Sequence, residues 1–472
     1  MFGLEISSLS GGLFAAFLLC LLMIFVFEFV NGFHDTANAV ATVIYTKTLK
    51  PMQAVVLSGI LNFCGVLSAS FIGFKVAMGI ANLLPVEAII TQAASSSAAM
   101  IIAVLLAAII WNVGTWYFGI PCSSSHTLIG SLLGVGLVFS TLPENLSQAG
   151  VDWKKAIDIA TSLIVSPLFG FSMAIVLMFI LRSLVKGDKK KALFKEPDGD
   201  QPPPFFIRAI LVTTCSLVSF FHGQNDGQKG IGLLMVALMT FMPFQYSLSP
   251  NFDAAKAQAS LTIIQENLPI QEINNTLAPI ELGQAVKTIE FLKQDIANAS
   301  DIKSRLSIRK RINLLEKDMK KFLDEPNLIK DGSVREKIKK EISSLSIHTH
   351  YAPFWAIILV SFALGLGTMI GWKRIVVTIG EKIGKRHMTY AEGATAEVIA
   401  AITIGLSTQY GLPVSTTHVL SSGIAGAMVA SKGVKNLQKG TIMNIALAWV
   451  LTLPATILLS GGLYLLFRAF LH

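Results

Sequence analysis

The chain has 472 residues, of which 53% are hydrophobic and only 14% charged, and its mean hydropathy is +0.62. That composition excludes a water-soluble protein of two or three domains and places the chain in a bilayer. The net charge of +9 does not indicate nucleic-acid binding, because the basic residues are scattered through short connections instead of forming one surface.

Long apolar runs lie near residues 12–30, 52–72, 98–119, 122–141, 157–181, 205–221, 231–244, 353–371, 394–408, 413–430 and 440–467. Most approach the roughly 20 residues that cross about 30 Å of hydrocarbon. The first run lacks a basic leading segment and a small-residue cleavage site, so it reads as a span and not as a signal peptide. Basic clusters at Lys47 and Lys50, Arg182 to Lys195, Lys373 to Arg386 and Lys432 to Lys439 mark cytoplasmic loops by the positive-inside rule. The connections near 73–95, 142–155 and 409–412, and Met1 to Gly11, are poor in base and belong outside. The sides alternate if the chain crosses ten times, with both termini outside and with residues 12–46 and 205–244 each forming one long, interrupted crossing. Cys20, Cys64, Cys122 and Cys215 fall in or beside apolar segments and read as small core residues, not as a disulfide framework.

Residues 245–350 are rich in Lys, Glu, Asp and Asn. Within them Leu306, Ile312, Leu315, Met319 and Phe322 recur at three to six residues with charge between, the pattern of an amphipathic helix in water. A break at Pro326 and a second helix near Ser333 to Ile347 follow. Charge alternation places this insert on the outer, periplasmic side. The expected order is membrane repeat 1 (1–182), a basic cytoplasmic linker (183–204), the start of repeat 2 (205–244), a soluble helical insert (245–350) and the rest of repeat 2 (351–472).

Two segments occur twice. FVNGFHDTANAVA (Phe29 to Ala41) aligns without gaps on FFHGQNDGQKGIG (Phe220 to Gly232), and YFGIPCSSSHTLIGSLLGVGL (Tyr117 to Leu137) aligns on QYGLPVSTTHVLSSGIAGAMV (Gln409 to Val429). The insert accounts for most of the difference between the two offsets, so one half of about five spans is used twice. An odd span number turns the halves over relative to each other, which is a transporter architecture with substrate bound near the midplane. The expected fold is therefore an all-α polytopic membrane protein of two inverted-topology repeats with broken helices, plus the soluble insert.

Polar backbone survives in hydrocarbon only where it lines a cavity or water path. Gly32, Gly223, Gly227 and Gly230 permit unwinding, while Asn31, Asp35, Asn38, Gln224, Asn225, Asp226 and Gln228 supply oxygens and amides. The strings PCSSSH and PVSTTH each set a proline before a helix start that carries Ser123, Ser124 and Ser125 or Ser415, Thr416 and Thr417. Free backbone N–H groups, the positive end of the helix dipole and hydroxyl donors converge there, which suits an anion with several oxygens. A lone serine in a membrane helix is ordinarily a packing residue; two such strings at matched positions point to a site. Intramembrane carboxylates are costly and functional by default, which singles out Asp35, Asp226 and Glu397. Lys229 either neutralises Asp226 on one helix face or meets the anion directly. His34, His126, His222 and His418 all lie in these segments and are natural proton carriers.

The motifs NGFHDTANAVAT, HGQNDGQKGIG, GIPCSSSHTLIG and GLPVSTTHVLSSGIAG resemble the paired signatures of the inorganic phosphate transporter (PiT) family, most of all its bacterial low-affinity branch. The resemblance implies ion-coupled uptake of inorganic phosphate across a bacterial cytoplasmic (inner) membrane, with Asp35, Asp226, Ser123 and Ser415 at the transport site. It also implies symport with protons, with the phosphate carried as a divalent-metal complex of Mg2+, Ca2+ or Zn2+. Asn62 stands where the similar sodium-coupled proteins carry glutamate, and Lys229 where they carry a small or amide residue, which favours protons over sodium. Sodium coupling and transport of sulfate or another oxyanion are the alternatives, followed by a channel or a structural membrane subunit. No nucleophile with its base, no metal-ligand spacing and no Walker loop occurs, so neither an enzyme nor a cofactor is expected. The expected partners are phosphate, the coupling ion and the lipid bilayer, with a homodimer left open and no nucleic acid.

Overall fold

The computed structural model describes residues 9–84, 89, 94–146, 150–197, 199, 201–268, 280–298, 301–324, 329 and 331–471, with the side chains of residues 36–38, 94, 280, 281, 321, 324 and 471 outside that set. Eighteen helices carry the argument below: α1 Gly11–Tyr45, α2 Pro51–Ile72, α3 Lys75–Ala81, α4 Ala94–Tyr117, α5 Ser124–Thr141, α6 Trp153–Leu184, α7 Gly187–Leu193, α8 Phe205–Phe241, α9 Pro243–Tyr246, α10 Ala254–Asn267, α11 Ile280–Ala297, α12 Ile302–Asp324, α13 Gly332–Ser346, α14 Phe354–Thr368, α15 Lys373–Glu381, α16 Tyr390–Gln409, α17 Thr416–Lys432 and α18 Lys439–Leu471. Among the described residues no strand forms, and a single isolated bridge links Gly384 and Leu437. The helices divide into a larger unit (residues 11–88, 92–237 and 352–472) and a smaller one built mainly of residues 238–351.

Among the described residues, seven helices are long and apolar enough to cross a bilayer: α1, α2, α4, α5, α6, α8 and α18. The pair α14 and α15, bent by 63° at its break, makes up to eight. The expected ten crossings also counted the segments that fold as α16 and α17. Both are enclosed by neighbouring helices over most of their length, and interior helices need no lipid-compatible face. The outer helices do have one: Ile157, Ile164 and Leu168 on α6 and Val450 and Leu458 on α18 are exposed. Cys20, Cys122 and Cys215 are buried as expected, but Cys64 faces outward on α2, and all four thiols are free.

The interrupted crossings are corrected by the structure. α1 and α8 run as helix straight through both signature segments, 35 and 37 residues long; the break in the larger unit falls instead between α14 and α15. The glycines serve close approach, not unwinding. A Cβ on Gly32 would overlap the carbonyl oxygen of Leu364, and one on Gly367 that of Phe29. The other half repeats the crossing: a Cβ on Gly223 would overlap the Asn62 carbonyl oxygen, and one on Gly65 that of Phe220. Asn62 and Leu364, like Gly65 and Gly367, lie 302 residues apart. A second crossing also recurs, with Gly134 against the backbone of Ile457 and Gly426 against that of Phe171. At each crossing, backbone packs on backbone because no side chain stands between.

The smaller unit packs α10, α11, α12 and α13 around a core that includes Leu261, Ile289, Ile312, Leu315, Met319 and Ile338. The apolar stripe of Leu306, Ile312, Leu315, Met319 and Phe322 is buried as its spacing predicts, and α13 falls where the second helix is expected; Pro326 lies outside the described residues. α10 and α11 carry the same helical spacing, Ala257, Leu261 and Ile264 in one and Leu282, Ala285, Ile289, Leu292 and Ile296 in the other, all buried; sequence reading missed them although the signal is present. Buried Arg309 donates to the carbonyl oxygens of Ser247 and Thr349, and Arg311 pairs with Asp295 at 2.6 Å.

Candidate functional site

Two helix starts build the donor half of the site. After Pro121 the chain is extended to Ser123, whose hydroxyl oxygen accepts the His126 backbone N–H and caps α5. Ser415 does the same for α17 by accepting the His418 N–H. Each cap satisfies one of the free N–H groups of its helix and turns the following hydroxyls inward. Ser123 and Ser415 accept from the backbone and each keeps an O–H to give, while Ser124, Ser125 and Thr417 face the acceptor half.

That half comes from α1 and α8. Asp35 Oδ1 accepts from the Thr417 hydroxyl at 2.8 Å, and its Oδ2 accepts from Ser124 Oγ at 2.7 Å. Ser124 Oγ also lies 3.2 Å from Asp226 Oδ2, and a hydroxyl has one proton to give. Lys229 Nζ stands 2.7 Å from Asp226 Oδ2 and donates to Ser125 Oγ at 2.5 Å, and the Ser125 hydroxyl donates on to the Val414 carbonyl at 2.8 Å. His34 Nδ1 approaches Asp35 Oδ1 at 3.3 Å while its Nε2 meets Thr115 at 3.1 Å. All of these side chains are buried, so the cluster is sealed from water in this conformation.

The tautomer of His222 follows from its neighbours. Thr368 Oγ1 donates to the Leu364 carbonyl, so it accepts from Asn62 Nδ2 at 3.0 Å. This turns Asn62 Oδ1 toward His222 Nδ1, 2.7 Å away, and a carboxamide oxygen only accepts. Nδ1 therefore donates, and Nε2 faces Asp226 Oδ2 at 3.7 Å and Asp35 Oδ2 at 3.9 Å. A bare ring nitrogen against two carboxylate oxygens is repulsive; a positive charge there relieves it. The same three residues hold their ligand atoms within 4.8 Å of one another, a spacing that also fits a cation.

The other expected residues surround this centre. Asn225 donates to Thr408 and to the Leu412 carbonyl and accepts from the Val414 N–H, so it braces the chain leading into α17. Gln228 accepts from the backbone N–H groups of Val76 and Ala77 and ties α3 to α8. The hydroxyl of Thr416 is buried without a hydrogen-bond partner among the described residues. His126 and His418, at matched repeat positions, lie ring to ring at 4.5 Å, and His418 stacks on Trp449 at 3.9 Å. Glu397 is set apart from the cluster, where it accepts from the hydroxyls of Thr42 and Thr214. The side chain of Asn38 lies outside the described residues. Sequence reasoning missed Glu28, buried on α1; the rule that selected Glu397, a carboxylate inside an apolar run, selects it too.

A model of the phosphate transporter family matches residues 31–460. The low-affinity inorganic phosphate transporter PitA of Escherichia coli (strain K12) is 40% identical over 96% of this chain and 97% of its own. PitB of the same strain is 38% identical over 95% of each. The solved structure of a protein described as the sodium-dependent phosphate transporter covers 96% of this chain and 99% of its own with a TM-score of 0.55 at 21% identity, a likeness of fold.

Proposed function

Since the chain belongs to the phosphate transporter family, we propose that it takes up inorganic phosphate across a bacterial cytoplasmic membrane as a proton symporter working by alternating access. The observation that carries this reading is the placement of His222 Nε2 between Asp35 and Asp226. Two carboxylates and one ammonium already leave the centre one charge negative, and a phosphate dianion would make it three. Unit charges about 4 Å apart cost roughly 4 kcal/mol per like pair at an effective dielectric near 20, so phosphate enters only with compensating positive charge. Protons on His222 and on one of the two carboxyl groups supply it. Lys229, Ser124, Ser125 and Thr417 then meet the phosphate oxygens, while a protonated phosphate oxygen donates to whichever carboxylate stays ionised.

His34 holds Asp35 from behind, and His126 and His418 stand where equivalent positions of the two halves meet. The recurring glycine crossings support two repeats of one fold in inverted orientation around this centre. Rocking one against the other would open the sealed cluster to each side in turn. The Asp35, His222 and Asp226 triad supports a second reading of the cargo, a divalent-metal phosphate in which Mg2+, Ca2+ or Zn2+ replaces the protons as the charge brought in with phosphate.

Uptake of labelled phosphate into vesicles under an imposed pH gradient without sodium, and then under a sodium gradient at equal pH, tests the coupling. Accumulation with the pH gradient alone is expected, and strict sodium dependence overturns it. Competition by sulfate separates the oxyanions: sulfate carries no proton at neutral pH and leaves the acceptors of this site unpaired, so it should compete poorly. Repeating uptake after chelation of divalent cations separates free phosphate from its metal complex.

A further inference from the structure

Glu28 makes no hydrogen bond to the central cluster, yet its side chain is 0% exposed. Its Oε1 has no hydrogen-bond partner among the described residues, and its Oε2 receives the Asn31 amide at 3.5 Å, the outer edge of a hydrogen bond. The carboxyl group rests against α8 at Gly230, where any Cβ would overlap it. The residue before Gly230 is Lys229, and Asp226 lies about one turn earlier on the same helix. A carboxylate offers about four lone-pair sites, and one distant amide leaves most of them bare. The protonated form, with an O–H and a single exposed acceptor, fits this pocket.

Helix geometry gives the position meaning. Seven residues make almost two full turns, so Glu28, Asp35 and Thr42 lie along one stripe of α1 at intervals of about 10 Å. Thr42 donates to Glu397, with Thr214 on the other carboxylate oxygen. Three buried carboxyl groups are thereby strung along roughly 21 Å of one helix face, most of the hydrocarbon thickness, with the phosphate centre in the middle. With the start of the chain outside, as its charges imply, Glu28 is the outer group and Glu397 the inner.

We propose that Glu28 carries the coupling proton between the outer side of the membrane and the central cluster. On release, the Glu28 O–H bond breaks and the proton crosses to Asp226 or Asp35 over water admitted when the cluster opens, each water taking one proton and passing one on, while the Lys229 ammonium counters the carboxylate left behind. Reprotonation from outside resets it, and Glu397 offers the corresponding station on the inner side. This rests on the proton-coupled reading above.

The experiment uses the full-length protein in liposomes, with labelled inorganic phosphate and a pH-sensitive dye, and compares wild type with Glu28→Gln and Glu28→Asp. Two processes are read: phosphate exchange at equal pH, which needs no net proton movement, and accumulation driven by a pH gradient with its accompanying proton flux. For Glu28→Gln, accumulation and proton flux should fall about a hundredfold, the lower range of what a positioned proton carrier contributes, while exchange falls far less; Glu28→Asp should recover most of both. Full pH-driven accumulation in Glu28→Gln overturns the proposal. So does an equal loss of exchange and accumulation in both variants, which would make Glu28 a packing residue. If wild-type accumulation follows sodium and moves no protons, the coupling reading itself has failed, and the wild-type arm alone reveals that.

Discussion

Lys229→Met removes the ammonium paired with Asp226 and keeps the approximate length of the side chain. At 2.7 Å the gross attraction is about 6 kcal/mol at an effective dielectric near 20. The net cost of deleting one partner of a buried pair is smaller, about 3–5 kcal/mol, because it consists mainly of the penalty for the uncompensated charge left behind. That corresponds to a loss of roughly a hundred- to several-thousandfold in phosphate affinity if the whole penalty falls on binding. The assay is a pair of measurements on purified protein: half-saturation for phosphate in liposomes and melting temperature in detergent. Lys229→Met should bind phosphate weakly and melt early. The double variant Asp226→Asn with Lys229→Met deletes both charges and should regain most of the thermal stability while transport stays lost. Unchanged half-saturation and melting in Lys229→Met would refute the pairing as an element of the site. A double variant no more stable than the single one would refute the electrostatic origin of the penalty.

Gly223→Ala places a Cβ closer than 3.0 Å to three backbone atoms of Asn62. α2 and α8 must then separate, and overpacking of this kind costs about 1–3 kcal/mol; a lower melting temperature and weaker phosphate transport are expected, with Gly32→Ala giving the matched effect at α14. Ser123→Ala and Ser415→Ala each remove a helix cap worth about 1 kcal/mol, so they should lower stability modestly and transport more, whereas Ser124→Ala should reduce transport at little cost in melting temperature. In the smaller unit, Asp331 accepts the Ser333 backbone N–H and hydroxyl, which holds its carboxyl below the usual carboxylate range. A group whose folded-state pKa is lowered stabilises above its unfolded value and loses that contribution as the pH falls through the folded one. Protection of the amides at the start of α13, taken relative to their intrinsic exchange rate at each pH, should therefore fall in acid, below about pH 4, and Asp331→Asn should show no such drop in protection.

Much was legible in the order of the residues. Membrane residence follows from apolar composition, because backbone and side chains face the same solvent test wherever they fold. The doubled Asp-bearing and hydroxyl-bearing strings identified the polar centre before any coordinates, since a carboxylate in an apolar run and a hydroxyl cluster at a helix start are each too costly or too specific to recur by chance. Family membership was readable from those same strings. The glycines were legible as special but not in their role: an isolated glycine signals either a break or a close crossing, and only the partner helix decides which. At Gly32, Gly65, Gly223 and Gly367 the partner is a backbone drawn from hundreds of residues away, so the answer is a crossing.

Sequence by itself determined that this chain spans a bilayer, that two of its strings each occur twice, and that its polar chemistry sits in those paired segments, because those properties depend on composition and local pattern. Tertiary structure alone decided that Ser124 reaches two aspartates, that Lys229 meets Ser125 as well as Asp226, that Asn62 orients His222, and that Thr42 and Thr214 meet Glu397. Those are distances between residues on different helices or turns, and they are set by how the helices pack, which no local pattern encodes.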